Sequence, residues 1–437
     1  MALKVGMVSL GCSKNQVDSE VMLGMLRDSG YDAVSDATLA DVIILNTCGF
    51  IESAKQESID AILEAAQYKT AGTLKKLLVT GCLAQRYARE LYEQIPEIDG
   101  IMGVSEYSRL PEVLNKMLYG ARPMCVEGGE RFLKQKRMLI TPPYSAYVKI
   151  SDGCDNRCTY CAIPLIRGEY MSRPYDDIIA ECRSLATDGV SELTFIAQDT
   201  SRYGSDFPGR PLMLKQLLHE ASEIEGIKWV RVLYCYPDTV NDELLKEIRD
   251  NPKICAYLDL PLQHINDTLL KRMNRRGTSA QIKRLIQKCR EYGIVTRTTM
   301  IVGFPGETDA QFEELTEFVK QARFDRLGAF AYSPEEGTPA ADMPDQIPEE
   351  IKQKRLDDLM LTQQQISLEL NRERIGTVCE VLVDGCEDGC FTGRSMSEAP
   401  ESDGIIKLTS ARKLTSGEYV QVKITDCDAY DLMGVVL

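Results

Sequence analysis

No apolar run in the sequence approaches the ~20 residues that a membrane-spanning helix needs, so no helical membrane span is expected. The first residues, M-A-L-K-V-G-M-V-S-L-G-C, lack the marks of a signal peptide, because a polar, helix-like stretch follows at once without a clear cleavage site. Positive charge is also short. The net charge of −15 argues against a broadly basic, nonspecific nucleic-acid binder and suits a basic partner or simple solubility. Histidine is rare, with two in 437 residues. Cysteine is abundant. Fifteen cysteines without a secretion signal indicate a reducing, cytoplasmic setting. The length allows two to four domains with sizeable cores, and a hydrophobic content of 44% is ordinary for globular chains.

The most informative stretch is D-G-C-D-N-R-C-T-Y-C, Asp152 to Cys161, whose Cys154, Cys158 and Cys161 are spaced C-x3-C-x2-C. Three thiols cannot all pair as disulfides, and bridged thiols need separated, correctly aimed Cα positions. Thiolates converging from one short loop suit a soft metal or an iron–sulfur cluster. A four-iron cubane held by three protein thiolates keeps one iron open to the amine and carboxylate of a small molecule. The alternatives are a zinc site or a set of buried thiols, but zinc usually takes four ligands, and no fourth Cys or His lies nearby in sequence.

Residues 1–120 read as an open parallel α/β domain. Strands are expected at Lys4–Leu10, Asp41–Leu45 and Lys76–Thr80, with a fourth unit from Gly100, and helices at Asn15–Arg27, Glu52–Tyr68 and Ala84–Gln94. Cys12, Cys48 and Cys82 each fall just past a strand, at the edge where such sheets bind ligands. Adjacent strands are ~4.8 Å apart, so these loops can bring three thiolates onto a second cluster, although free cysteines are often just small buried hydrophobes. A connector, 121–140, carries Gly128-Gly129, a basic run from Arg131 to Arg137, and Cys125, read as structural.

Residues 141–370 give a second α/β pattern of six strands at most, at Ser145–Ile150, Glu192–Ala197, Trp229–Leu233, Ala256–Leu260, Val295–Val302 and Arg326–Ala331. That is fewer than the eight of a closed barrel, so a partial (βα)6 barrel is expected, with the cysteine loop following its first strand at the face where barrels place chemistry. Gln198-Asp199, Tyr234, Gln263-His264 and Gly303-Phe304 follow later strands at the same face. Cys182, Cys235, Cys255 and Cys289 fit core positions, and His264 fits a core or a site equally. A charged helix, Glu349–Arg374, has an apolar stripe at Leu356, Leu359, Ile366 and Leu370. Residues 371–437 read as five short strands forming a small antiparallel, OB-like barrel, with Cys386 and Cys390 as exposed loop thiols.

The triplet, with Tyr160 before its last cysteine, resembles the signature of radical S-adenosylmethionine (SAM) enzymes. The whole chain resembles the radical SAM methylthiotransferases, through S-L-G-C-S-K-N-Q-V-D-S-E (Ser9–Glu20), N-T-C-G-F around Cys48, V-T-G-C around Cys82, C-D-N-R-C-T-Y-C, and I-R-G-E-Y-M-S-R-P (Ile166–Pro174). The resemblance implies an N-terminal methylthiotransferase domain, a radical SAM domain and a C-terminal TRAM domain. Within the family, C-S-K-N at Cys12–Asn15 is similar to the RimO type, which modifies an aspartate of small-subunit ribosomal protein twelve. The tRNA-modifying type usually has C-Q-M-N there. The G-G-E motif of many radical SAM enzymes is missing after the second barrel strand, where Gln198-Asp199 stands.

The resemblance implies two [4Fe-4S] clusters, on Cys12, Cys48 and Cys82 and on Cys154, Cys158 and Cys161, the latter binding SAM. It also suggests Tyr160, Gln198, Asp199, Gln263, Gly303 and Phe304 as SAM contacts, with Asp199 facing the ammonium group and the glycine turn allowing close approach to adenine. One SAM would donate a methyl group to cluster-bound sulfur. Another would be cleaved to a 5′-deoxyadenosyl radical that takes a hydrogen from the aspartate β-carbon, after which the carbon radical captures the methylthio group. An external reductant of flavodoxin or ferredoxin type is implied. The alternatives are methylthiolation of tRNA adenosine and an iron–sulfur electron carrier, which would usually complete its coordination with a fourth cysteine. The last 67 residues, from Asn371, hold seven basic and twelve acidic side chains, a balance of −5. That charge disfavours a tRNA grip and suits steering of a basic ribosomal protein, with Glu387, Asp388, Glu401 and Asp403 as docking candidates.

Overall fold

Short runs rich in Val, Ile and Leu build the first sheet. The computed structural model describes residues 3–132, 134–387 and 389–437. Its strands β1 (Lys4–Ser9), β2 (Asp32–Val34), β3 (Val42–Thr47), β4 (Lys76–Gly81), β5 (Gly100–Met102) and β6 (Met124–Cys125) are all parallel, in the order β2-β1-β3-β4-β5-β6. β3 is buried along its whole length, as a strand covered on both faces must be. The covering helices are α1 (Ser13–Asp28), α2 (Glu52–Thr70), α3 (Cys82–Arg86), α4 (Ala88–Gln94) and α5 (Leu110–Leu118). The single helix expected over Ala84–Gln94 breaks at Tyr87, where φ is −127°. The connector is less loose than its glycines suggest. Met124 and Cys125 form the edge strand, and Arg137 is buried with its guanidinium 2.8 Å from Glu20 of α1.

Two compact units emerge from the contacts. The first runs to Ile140 and includes Ser151–Asp177 and Ser333–Ala341; the second comprises Thr141–Ile150, Ile178–Tyr332 and Asp342–Leu437. In the second, β7 (Ser145–Lys149) opens a parallel array, and the chain then runs directly into β8 (Ser151–Asp152) of the first, which pairs with β9 (Met171–Ser172) and so closes the cysteine loop. That loop ends on a short helix, α6 (Ile163–Arg167). The array continues with β10 (Glu192–Ile196), β11 (Trp229–Val232), β12 (Tyr257–Asp259), β13 (Val295–Val302) and β14 (Arg326–Ala331). β11-β10-β7 and β12-β13-β14 are joined where Cys235 N–H donates to the Asp259 carbonyl at 2.9 Å. The partial six-stranded barrel is thus as expected.

Helices α7 (Tyr175–Thr187), α8 (Leu214–Ser222), α9 (Asp242–Asp250), α10 (Asp267–Arg272), α11 (Ser279–Glu291) and α12 (Asp309–Ala322) flank it. Capping boxes, Thr278 with Gln281 and Thr308 with Gln311, start α11 and α12. Helix α13 (Glu349–Glu373) buries Leu359 and Ile366 but otherwise a polar stripe of Lys352, Arg355, Gln363, Ser367 and Asn371. Leu356 and Leu370 are only half-buried. The stripe is rotated because its polar groups have set partners: Arg355 holds Glu307 at 3.0 Å, and Gln363 donates to the Phe324 carbonyl at 2.8 Å. Among the described residues no helix is long and apolar enough to cross a membrane.

The last five strands, β15 (Val378–Glu387), β16 (Cys390–Arg394), β17 (Ile406–Thr409), β18 (Tyr419–Cys427) and β19 (Leu432–Val436), close into a barrel in the order β15-β16-β17-β19-β18. The expected all-antiparallel arrangement is corrected here, since β17 and β19 pair in parallel. Five strands cannot close a ring with every neighbour reversed; an odd count forces at least one parallel pair.

The segment after β16 lies against the barrel's inward-facing charges. Arg394 grips Glu192 with two bonds of 3.1 and 2.9 Å. Glu398 is held by Arg374 and Arg326, and Asp403 accepts from Tyr257 Oη at 2.7 Å and faces Arg297 at 3.5 Å. Burial pushes the Glu398 carboxyl up, but Arg374 and Arg326 outweigh it and hold the group at about 2. Glu398→Gln is expected to destabilise this unit by about 1.5–3 kcal/mol at neutral pH, since it removes charged hydrogen bonds from two partly buried arginines. A depressed carboxyl stabilises above its unfolded value of ~4.3 and loses that contribution as pH falls toward the folded value. The gap between parent and variant should therefore narrow as pH falls from ~4.3 to about 2. Trp229, the single tryptophan, is buried 4.9 Å from the Tyr419 ring and reports urea unfolding of this unit by fluorescence. A pH-independent gap would reject the assignment.

Candidate functional site

The register of the first sheet fixes where three cysteines fall. Ser9 pairs with Asn46 and Thr47 pairs with Gly81, so β1, β3 and β4 end on one edge. Cys12 follows β1 as the residue preceding α1, Cys48 directly follows β3, and Cys82 opens α3. The strand order reverses between β1 and β3, which is the crevice where open α/β sheets bind ligands. Cys12 reaches solvent, whereas Cys48 and Cys82 are buried. The turns are tight: a side chain at Gly11 (φ +89°) would put its Cβ 2.7 Å from that of Cys48, and one at Gly81 (φ +95°) would meet Asn46 Oδ1 at 2.4 Å.

The three thiols influence one another. Burial, the neighbouring Cys82 and, less strongly, Cys12 push the Cys48 thiol up to about 12. Burial raises Cys82 too, against the pull of Arg167. At Cys12 the packed surroundings also raise the thiol, but Lys14, Arg167 and the N–H groups of Asn15 and Lys14 at the start of α1 bring it below its ordinary value. Among the described residues no three Cys, His, Asp or Glu side chains are grouped to hold a single metal ion. The donor set on this edge, three thiols with one open to solvent and a turn free of Cβ between Cys12 and Cys48, fits a cluster bound through three thiolates.

Asn15 and Arg167 organise the edge. Asn15 Nδ2 donates to the carbonyls of Leu10 and Thr47, both at 3.0 Å. Arg167, on α6 in the second cysteine loop, directs Nη2 to Asn15 Oδ1 at 2.7 Å, Asp18 Oδ2 at 3.0 Å and Cys82 Sγ at 3.6 Å, while Nη1 pairs with Asp152 at 3.1 Å. Both Asn15 and Arg167 lie within the motifs above, where no local pattern assigns them a role. The available signal was polar residues at Asn15, Asp18 and Ser19, a three- and four-residue spacing on one face of a helix otherwise expected to bury apolar groups.

The second triplet sits in the loop between β8 and β9. Cys154 N–H donates to the Gly168 carbonyl at 3.1 Å, and Cys161 N–H to that of Cys158 at 3.0 Å. Arg157 adopts a positive φ of 49°, and Tyr170 N–H binds Asp155 at 2.9 Å. Cys158 is buried; Cys154, Tyr160 and Cys161 are partly exposed. This donor set likewise fits three-thiolate ligation.

In the barrel unit, Gln198 Oε1 is buried and has no hydrogen-bond partner among the described residues. Asp199 is buried and accepts from Ser201 Oγ at 2.9 Å. Gln263 has φ +74° and bridges to Met300. The Gly303 N–H is taken by Glu307 at 2.8 Å, the Lys352 stem covers Gly303, and Phe304 is packed edge-on against Tyr332. His264 is fully buried, its Nδ1 accepts the Asn266 N–H at 3.0 Å, and burial followed by Arg355 pushes it down to about 3, which makes it a neutral core histidine. Cys125, Cys182, Cys235, Cys255 and Cys289 are buried, and Cys386 and Cys390 are exposed. Of the docking candidates, Asp403 is spent inside the barrel unit, Glu401 is exposed, and Asp388 lies outside the described residues.

Three family models match this chain: the Radical SAM superfamily over residues 148–319, the Uncharacterized protein family UPF0004 over 4–103, and the TRAM domain over 375–437. The chain is 52% identical to the ribosomal protein uS12 methylthiotransferase RimO of Desulforamulus reducens, over 98% of each chain. It is 50% identical to the protein of the same name from Caldicellulosiruptor saccharolyticus, over 100% of each. Among solved structures it resembles the radical S-adenosylmethionine methyltransferase TsrM from Kitasatospora setae, with TM-score 0.58 and 16% identity, covering 78% of this chain and 77% of that one. That likeness is one of fold.

The thiol shifts make a prediction for the cluster-free protein. At neutral pH, alkylation followed by peptide mass spectrometry should modify Cys12 before Cys48 and Cys82, because the thiolate is the nucleophile and burial raises the latter two. Equal rates at the three positions would contradict the ordering.

Proposed function

This chain belongs to the ribosomal protein uS12 methylthiotransferase family of the radical SAM superfamily, and on that premise we propose that it attaches a methylthio group to the β-carbon of an aspartate in small-subunit ribosomal protein twelve. Superfamily membership implies a [4Fe-4S] cluster and SAM. Two clusters are proposed, one on Cys154, Cys158 and Cys161 with SAM at its open iron, and one on Cys12, Cys48 and Cys82. When bound, these groups supply a hydrogen-abstracting radical from SAM and a methylthio donor. The supporting observation is that both three-cysteine sets fall in one compact unit, where Arg167 of the second loop touches Cys82 of the first edge. A methylthio transfer needs its radical source and its sulfur donor near one substrate carbon.

The protein's own part is positioning. Strand register brings the three cysteine-bearing turns of the first edge side by side, and the β8-β9 pair closes the second loop. Gln198 and Asp199 are assigned to SAM, Gln198 through a buried oxygen with no hydrogen-bond partner among the described residues, and Tyr160, Gln263, Gly303 and Phe304 as further contacts. A flavodoxin- or ferredoxin-like reductant and a cytoplasmic setting complete the proposal.

Anaerobic reconstitution tests it. Cys154→Ala/Cys158→Ala/Cys161→Ala is expected to keep one cluster and form no 5′-deoxyadenosine. Cys12→Ala/Cys48→Ala/Cys82→Ala is expected to cleave SAM yet give no methylthio product by mass spectrometry of ribosomal protein twelve. Retained cleavage in the former or full product in the latter would reject the ligand sets. Methylthioadenosine formed on tRNA would instead reject the substrate.

The docking role is narrowed to exposed acids of the C-terminal barrel. Glu380, Glu401 and Asp426 changed to Lys should weaken binding of the ribosomal protein and flatten its salt dependence, as measured by titration at rising salt. Unchanged affinity would remove this barrel from substrate docking.

A further inference from the structure

We propose that Arg167 is a positioning residue for methylthio transfer: it ties the loop of Cys154, Cys158 and Cys161 to the Cys12, Cys48 and Cys82 edge and holds a hydrogen-bond donor on the Cys82 sulfur. The proposal rests on reading that edge as a cluster site.

The guanidinium side chain is 2% exposed, and its partners Asp18 and Asp152 are 3% and 6% exposed. A purely structural role needs one partner, and Asp152, in its own loop, supplies it with two contacts of 3.1 and 3.2 Å. The other nitrogen, Nη2, shares its two hydrogens among three acceptors, Asn15 Oδ1 at 2.7 Å, Asp18 Oδ2 at 3.0 Å and, as the longest contact, Cys82 Sγ at 3.6 Å. Through Asn15 it reaches the backbone of the other two turns, because that amide binds the Leu10 carbonyl two residues before Cys12 and the Thr47 carbonyl just before Cys48. One planar group therefore contacts or braces all three cysteine-bearing turns from a helix that belongs to the second triplet. Only an arginine fork presents several fixed donors in this way; a lysine offers a compact charge without the fork.

Two consequences follow. Hydrogen bonds to cluster sulfurs tune reduction potential, so the donor on Cys82 raises the potential of a cluster at that edge. The same contact fixes the distance between the two triplets, so its loss uncouples radical formation from sulfur transfer.

The test uses the full chain with Arg167→Lys, which retains a charge to balance Asp18 and Asp152. Melting temperature monitors folding. 5′-Deoxyadenosine formation is expected to stay within roughly twofold of the parent, while methylthio product falls about tenfold or more, the range typical for lost outer-shell partners. In the Cys154→Ala/Cys158→Ala/Cys161→Ala background, the potential of the remaining cluster, followed by EPR, is expected to shift negative with Arg167→Lys. Asp152→Asn is the control: it breaks the structural pair and leaves the donor on Cys82, so the potential should hold. The charge-balanced pair Arg167→Gln with Asp152→Asn should reproduce the uncoupling if Arg167→Lys does not fold. A parent ratio of product to 5′-deoxyadenosine together with an unmoved potential overturns the proposal, as does a shift as large in Asp152→Asn. Failure of the triple-alanine background to bind any iron overturns the cluster reading itself and the proposal with it.

Discussion

Parallel pairing in register is the constraint from which the first site follows. When β1, β3 and β4 are hydrogen-bonded through Ser9–Asn46 and Thr47–Gly81, the residues after their ends must emerge side by side. Interstrand spacing of ~4.8 Å then brings three turns into mutual range without any loop having to travel. The helices cannot move independently of this, since Cys12 and Cys82 are themselves helix-starting residues. Helix N-termini favour negative charge, which is the form a thiolate ligand takes. Backbone hydrogen bonding thus sets both where the sulfurs lie and part of their electrostatics.

Much of this was legible in the sequence because it depends on period and spacing. Apolar runs of five or six residues alternating with helical stretches can make only a small set of parallel sheets, and a cysteine at the end of three such runs marks one edge. The cysteine triplet was legible for the same reason, being local. Arg167 was not, since its partners Asn15 and Cys82 are 152 and 85 residues away, and no local pattern encodes such a contact. The polar stripe of α13 escaped likewise: Lys352 and Arg355 are buried against Gly303 and Glu307 in the turn between β13 and α12. The parallel β17–β19 pair was available in principle, because strand parity alone requires it.

Net charge proved a coarse guide. The C-terminal residues carry five more acids than bases, and that excess suggested an external basic partner. The structure distributes the acids unevenly. Glu398 and Asp403 are themselves buried and face partly buried arginines of the barrel unit, Asp384 is held by Arg394, and Glu418 is held by Arg412. Such groups contribute to the count but project little field outward.

The two kinds of charge do different work. The interior pairs are desolvated, so each carboxylate needs its cation to remain charged there; they fasten the C-terminal barrel to the partial barrel at the strands bearing Glu192, Arg231, Tyr257 and Arg297. Surface acids such as Glu380 and Asp426 are solvated, screened by salt and free to act at a distance of about a Debye length. A tethered barrel whose inner charges are fully engaged can present its remaining surface in one fixed orientation. Under the proposed docking role, that surface would steer the approach of a basic protein.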